Sequence, residues 1–139
     1  LNIQYIISYL GLIPFFLILI DKYYFFQIKE DISTNFLINY NLIILVFIGS
    51  MNWNLELKIK KNIAIYGFLP SFFATVIIML NLYGYGSNKI FLFLILANLL
   101  QLVFDYILIY LKQINKQSFY YLRLPLTISI IVVLIIFKI

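Results

Sequence analysis

The sequence predicts an all-α fold, an integral membrane bundle of five transmembrane helices, and three observations lead to this prediction. The chain is 65% hydrophobic and 11% charged, with a mean hydropathy of +1.05, whereas a soluble domain is about 45–50% apolar and about 25% charged. The apolar residues fall into five separate runs, at 3–20, 36–55, 63–83, 90–111 and 122–138. These runs lack strict in/out alternation, so helices are favoured over a closed β-barrel, the other structure that satisfies the backbone in lipid.

The first run, residues 3–20, approaches the roughly 20 apolar residues that a helix needs to cross a hydrocarbon core of about 30 Å. It lacks a basic leading region and a small-x-small cleavage site, so we expect a retained span rather than a signal peptide. Residues 21–35 follow and include the aromatic stretch Tyr23 to Phe26. We expect them to form a short interfacial segment with its aromatic rings in the headgroup region.

The second run, residues 36–55, ends in an unusual polar cluster within the stretch FIGSMNWNLEL. Gly49, Asn52, Trp53 and Glu56 are spaced i, i+3, i+4 and i+7, so they share one helical face. We expect Gly49 to allow a close helix approach, Asn52 to hydrogen-bond between helices, and Trp53 to anchor near the interface. We interpret the face as an interhelical contact surface; a ligand or partner site is the alternative.

The third run, residues 63–83, contains Gly67, Pro70, Ser71 and Thr75. A proline inside a helix removes one backbone hydrogen bond, and the freed carbonyl needs another partner in a membrane. We therefore predict a helix kink at Pro70, and likewise at Pro14 in the first run and Pro125 in the fifth. A substrate-binding break in the helix is the alternative.

The fourth run, residues 90–111, carries Asn98, Gln101 and Asp105 at i, i+3 and i+7. Asp105 precedes Leu111 by six positions, about 9 Å along a helix. Because a carboxylate inside a membrane is costly, we expect Asp105 to be protonated or paired, with Arg123 as its partner. A structural ion pair or hydrogen bond is the favoured interpretation, and a proton-relay or cation-binding role is the alternative.

The fifth run, residues 122–138, is the shortest in apolar length. Leu124 to Phe137 gives 14 uncharged residues, about 21 Å of helix. Snorkelling by Arg123 and Lys138 adds to this length. We therefore predict a complete span.

The basic residues predict the orientation of the bundle. The loops after the second and fourth runs hold six of them, and the opposite side holds Lys22, Lys29, Lys89 and Lys138. Because basic loops stay in the cytoplasm, we expect these two loops and the N-terminus to be cytoplasmic and the C-terminus outside. The six residues are Lys58, Lys60, Lys61, Lys112, Lys116 and Arg123. We expect residues 1–139 to form a single domain.

Several kinds of chemistry are excluded by composition. The chain has no cysteine and no histidine, so disulfides, thiolate-zinc sites, iron–sulfur clusters, His-ligated haem and catalysis by Cys or His are ruled out. Paired carboxylates within one span, a Gly-rich phosphate loop and a G-x-S-x-G motif are also missing. We therefore predict no catalytic, cofactor or metal site, and a protein that is not an enzyme.

Four stretches together carry a family resemblance: YLGLIPFF (Tyr9 to Phe16), FIGSMNW (Phe47 to Trp53), YGFLPS (Tyr66 to Ser71) and LRLPLT (Leu122 to Thr127). With them the chain resembles an uncharacterised family of small membrane proteins, domain of unknown function 3429, which is similar to the mitochondrial transmembrane protein 69. The resemblance implies a bacterial inner membrane, or the mitochondrial inner membrane for an organellar protein. It implies no activity.

The family pattern in the second run reads close to F-L-G-x-x-H-W-G. Gly49 and Trp53 stand at matching positions, while Asn52 replaces the histidine and Asn54 replaces the last glycine. Because asparagine hydrogen-bonds but does not titrate, the comparison favours a contact role over acid–base chemistry at this position.

Two functions follow as hypotheses. The first is a non-catalytic membrane protein that binds or helps assemble partners, either a membrane protein or a second copy of the chain. Its polar face would hold Gly49, Asn52, Trp53, Asp105 and Arg123. The second is a small oligomeric transporter or channel that uses Asn98, Gln101 and Asp105 as a polar path. The lipid bilayer is the expected surrounding in both cases, and the dispersed basic residues indicate anionic lipid rather than nucleic acid.

Overall fold

Five helices long and apolar enough to cross a membrane form the structure, which confirms the predicted fold class. The computed structural model describes residues 3–51, 61–111 and 115–139, and no strand occurs within these ranges. The spans are numbered in chain order: span 1 (Tyr5–Phe25), span 2 (Glu30–Ser50), span 3 (Lys61–Leu82), span 4 (Ser87–Tyr110) and span 5 (Lys116–Lys138).

Span 1 is divided into two α-helices, Ile3–Leu10 and Ile13–Ile20, and a π-helical segment, Asp21–Phe25. Pro14 lies in the first turn of the second helix, where its missing N–H would have had no intrahelical partner. The π-helical segment carries the span five residues beyond the predicted end at residue 20.

The start of span 2 differs from the prediction, because the helix begins at Glu30 rather than at residue 36. Glu30 and Asp31 occupy its first turn, where negative charge interacts favourably with the helix dipole. Residues 21–35 are thus mostly helical, and the expectation that their aromatic rings lie in the headgroup region stays a prediction. The predicted end of the run, residues 52–55, lies outside the described residues.

Spans 3 and 4 follow the predicted boundaries to within three residues and are joined by a tight turn. Tyr85 N–H donates to the Leu80 carbonyl at 3.2 Å, and Gly84 N–H donates to the Asn81 carbonyl at 3.1 Å. This pair of bonds is the Schellman motif, which places one residue in the left-handed region. Gly84 occupies that position with φ +79°, which a glycine adopts without strain.

Span 5 begins six residues earlier than predicted. It consists of a short helix Lys116–Ser118, a π-helical segment Phe119–Arg123 and an α-helix Leu124–Lys138. Its 23 residues give about 35 Å of helix, so the span is long enough to cross a core of about 30 Å without snorkelling side chains.

The two ends of the bundle differ in charge. One, here called the Arg123 end, carries Met51, Lys61, Tyr110 and Lys116, and its described residues include three basic side chains and one acidic side chain. The other, the Asp21 end, holds four basic and three acidic residues.

The Asp21 end is joined by direct contacts between spans 1, 4 and 5. Tyr23 Oη donates to the Ile136 carbonyl at 2.8 Å, and Lys138 Nζ donates to Ser87 Oγ at 2.8 Å. Lys22 Nζ also donates to the Phe137 carbonyl. Beneath these contacts the interior is apolar and close to completely buried, with Leu37, Ile90, Leu94, Leu134 and Phe137 at its centre.

Candidate functional site

Five polar side chains from spans 2, 4 and 5 lie buried between the helices and form what we call the polar cluster. None is more than 6% exposed. Burying polar groups in a membrane interior is expensive unless they find partners, so their contacts decide what the cluster does. Its members are Asn41, Asn98, Gln101, Asp105 and Arg123.

Asp105 and Arg123 face each other across spans 4 and 5, as expected from the sequence. Arg123 Nη1 lies 3.9 Å from Asp105 Oδ2, and the same nitrogen donates to the Ile48 carbonyl of span 2 at 3.1 Å. Gln101 Nε2 donates to the other carboxylate oxygen, Oδ1, at 3.2 Å. The pair therefore connects three helices, and its two charges compensate each other where neither is solvated.

One turn further into the bundle, Asn98 reaches span 2. Its Nδ2 donates to Asn41 Oδ1 at 2.9 Å and to the Leu94 carbonyl of its own helix at 2.8 Å. Asn41 Nδ2 and Gln101 Oε1 are both buried without a hydrogen-bond partner. One is a donor and the other an acceptor, and a buried water satisfies such atoms where there is room for it.

Asn41 is the member of the cluster that the sequence interpretation missed. It stands among Asn35, Asn39 and other asparagines of an Asn-rich chain. A signal was present, because Asn41 lies four residues from Leu37 and four from Leu45, and both leucines are completely buried. A polar residue at that helical spacing shares the buried face of the helix.

The polar cluster occupies only part of the membrane thickness. Asn98 and Asp105 lie twelve and five residues before the end of span 4 at Tyr110, about 18 Å and 8 Å along the helix. Beyond Asn98, towards the Asp21 end, the buried side chains of the same helix are Ala97, Leu94, Phe91 and Ile90. The described interior is therefore polar from the middle of the bundle towards the Arg123 end, and on the other side an apolar layer separates the polar cluster from the buried Ser33 and Asp21.

Gly49 brings spans 2 and 3 into close contact. A Cβ built on Gly49 would lie 2.6 Å from the Gly67 carbonyl oxygen and 2.8 Å from Pro70 Cγ. Only glycine fits so near a neighbouring backbone. Gly49 directly follows Ile48, so adjacent residues of span 2 contact span 3 and the Arg123 side chain of span 5.

The remaining predicted residues are placed as follows. Span 3 continues as one helix through Pro70, which is buried. Pro125 lies in the first turn of the helix that follows the π-helical segment of span 5. Asn52 and Trp53 lie outside the described residues, so the interpretation of the FIGSMNWNLEL face remains a prediction for them.

A lateral cavity of about 220 Å³ lies beside the cluster, between spans 1, 2 and 5. Its wall is apolar except for Ser8, Tyr40 and Arg123, and it includes none of Asn98, Gln101 and Asp105. Within residues 3–51, 61–111 and 115–139, no three acidic side chains come together as ligands for a metal ion.

Of the comparisons with known proteins, one gives a match, to a family model. Neither a curated protein nor a solved structure shows significant similarity to the chain. The family model described as "Protein of unknown function (DUF3429)" matches residues 2–139. Because this match covers nearly the whole chain, the chain belongs to the DUF3429 family.

Proposed function

We propose that this chain is a non-catalytic membrane protein with a structural role, which binds or helps assemble a membrane partner, and that its polar cluster holds its own helices together. One observation carries the proposal: the polar residues are bonded across spans 2, 4 and 5, and the buried layer next to them towards the Asp21 end is apolar. A path for a solute needs polar groups that extend from one side of the membrane to the other. Polar groups in a contact between helices need only hydrogen-bonding or ionic partners on the neighbouring helix.

The charges of the cluster support the same proposal. A buried ion pair contributes little net stability, but removing one partner leaves an uncompensated charge and costs about 3–5 kcal/mol. Asp105, only 1% exposed, and Arg123 therefore act as a unit. A partner would therefore bind to the outer surface of the bundle, because the polar residues inside are already bonded to one another.

The Asp105→Asn variant tests the structural role. With Arg123 retained, we expect a lower melting temperature in detergent, because the arginine loses its counter-charge. Proteoliposomes of the unaltered protein should show no pH-dependent cation uptake above that of empty liposomes. A variant with unchanged melting and a lost pH-dependent uptake would contradict the proposal.

A small transporter or channel is the second candidate, and a specific observation favours it. Asn41 Nδ2 and Gln101 Oε1 are buried donor and acceptor atoms without a protein partner, as at a hydrated site. The same uptake assay separates the two functions, with Gln101→Leu as the variant. A transporter loses flux when Gln101 becomes apolar, whereas a structural protein shows no flux to lose.

Partner binding needs its own experiment. The tagged full chain is purified in mild detergent, and any co-purifying membrane protein is identified, expressed separately and mixed again with the purified chain. We expect a stoichiometric complex to reform. A monodisperse chain that transports a solute and binds no purified candidate would refute the assembly role.

For the location we propose a bacterial inner membrane with the Arg123 end in the cytoplasm. Six basic residues at that end, against four at the other, support this orientation. Fusions of a fluorescent protein and of alkaline phosphatase after Lys61 and after Tyr85 form a matched pair. We expect fluorescence at Lys61 and phosphatase activity at Tyr85, and the reverse pattern would overturn the orientation.

A further inference from the structure

The lateral cavity between spans 1, 2 and 5 is open towards the surrounding lipid. Two residues at its mouth, Ile43 and Phe47, are 64% and 56% exposed. Most of its other lining side chains are apolar, including Ile7, Ile44 and Leu126. Along span 2 the cavity extends from Tyr40 to Met51, about 16 Å of helix. It is thus a narrow apolar crevice that follows the direction of a lipid chain.

The interruption in span 1 forms one wall of this crevice. The helix Ile3–Leu10 ends before Gly11, and the next helix begins at Ile13. Two tyrosines connect the interrupted span to its neighbours: Tyr40 Oη donates to the Gly11 carbonyl at 2.8 Å, and Tyr9 Oη donates to the Tyr121 carbonyl. These hydrogen bonds fix span 1 against spans 2 and 5 beside the crevice.

Apolar walls alone do not select a ligand inside a bilayer, because lipid tails are as apolar as the side chains. The selective element is the charge at one end of the crevice. Arg123 lines it, but this side chain is only 6% exposed and is paired with Asp105. The accessible charge comes from Lys61 and Lys116, which are exposed at the same end of the bundle.

We propose that the crevice binds one acyl chain of an anionic phospholipid, with the headgroup phosphate held by Lys61 and Lys116 at the Arg123 end. The volume of about 220 Å³ is below the 300–1,000 Å³ of pockets for drug-sized ligands, so we assign the crevice a single acyl chain and leave the headgroup outside it. Anionic lipid gains about 1 kcal/mol for each nearby basic side chain, a preference of about five-fold per cation. The site shares Arg123 with the polar cluster, but the proposal does not rest on the assembly role.

Native mass spectrometry of the full chain in detergent tests the proposal, with equal amounts of phosphatidylglycerol and phosphatidylcholine of the same acyl chains added. We expect one phosphatidylglycerol retained at least five-fold more strongly than phosphatidylcholine, and a smaller preference at high salt. The Ile44→Trp variant fills the crevice and should lose this retained lipid. Val103→Trp, on the half-exposed face of span 4, is the matched control and should keep it.

Folding of each variant is checked by size-exclusion chromatography and melting, and Ile44→Phe replaces Ile44→Trp if the larger side chain prevents folding. Equal retention of both lipids by the unaltered chain means a non-selective annular lipid and overturns the proposal. Undiminished phosphatidylglycerol binding in a folded Ile44 variant overturns it as well.

Discussion

Replacing Gly49 by alanine should destabilise the bundle by about 2 kcal/mol. The added Cβ would lie 2.6 Å from the Gly67 carbonyl oxygen, whereas ordinary contacts begin at 3.4 Å. Spans 2 and 3 must therefore separate locally by about 0.8 Å, the difference between these distances. The nearest atom belongs to the backbone and Pro70 is a rigid ring, so neither can turn away. Overpacking of this kind typically costs about 1–3 kcal/mol.

The assay is thermal melting in detergent, followed by the fraction that remains monodisperse on size-exclusion chromatography. For a chain of this size, 2 kcal/mol corresponds to a decrease of about 8 °C. Gly86→Ala is the matched control, because nothing lies within 4 Å of its added methyl group. In Gly86→Ala, alanine is a weaker N-cap than glycine, which lowers the stability. Alanine also restricts the unfolded chain, which raises the stability, so the net change in melting temperature should be small. If Gly49→Ala melts like Gly86→Ala, the close packing of spans 2 and 3 is refuted.

Two further predictions concern other parts of the bundle. A double-mutant cycle of Asn41→Leu and Asn98→Leu should give a coupling of about 0.6–1.7 kcal/mol in melting experiments, because their side chains hydrogen-bond at 2.9 Å; additive losses would mean no bond. Phe26→Gly should raise the stability by about 1 kcal/mol, because Phe26 has φ +53° and a non-glycine residue pays about 1–2 kcal/mol there. Phe26→Ala keeps the strain and serves as its control, and an equal melting temperature of the two variants would contradict the argument.

Hydropathy predicted the number and type of the spans because the bilayer thickness itself fixes how many apolar residues a helix needs. Hydropathy located the first and last residues of the spans less well. The start of span 2 contains Glu30, Asp31 and Ser33, which read as loop residues, yet the two carboxylates suit a helix N-terminus and Ser33 is buried. Hydrophobic patterning carries no signal for the π-helical segments at Asp21–Phe25 and Phe119–Arg123.

The candidate site was predicted in part for a similar reason. The spacing of Asn98, Gln101 and Asp105 places them on one face, and a carboxylate in a membrane requires a partner, which pointed to Arg123. Asn41 was missed because its helical spacing from Leu37 and Leu45 becomes a signal only when the buried face of span 2 is known. The lateral crevice also escaped prediction, since it depends on the interruption after Leu10 and on three spans meeting.

The central claim, that the buried polar side chains of the cluster are paired across the helices, is tested most directly by a double-mutant cycle on Asp105 and Arg123. Melting is measured for Asp105→Leu, Arg123→Leu and the double variant in the same detergent. The account predicts that each single change costs about 3–5 kcal/mol, because it leaves one buried charge uncompensated, and that the double variant recovers most of the loss. Losses that simply add in the double variant would show that the two side chains do not act as a pair.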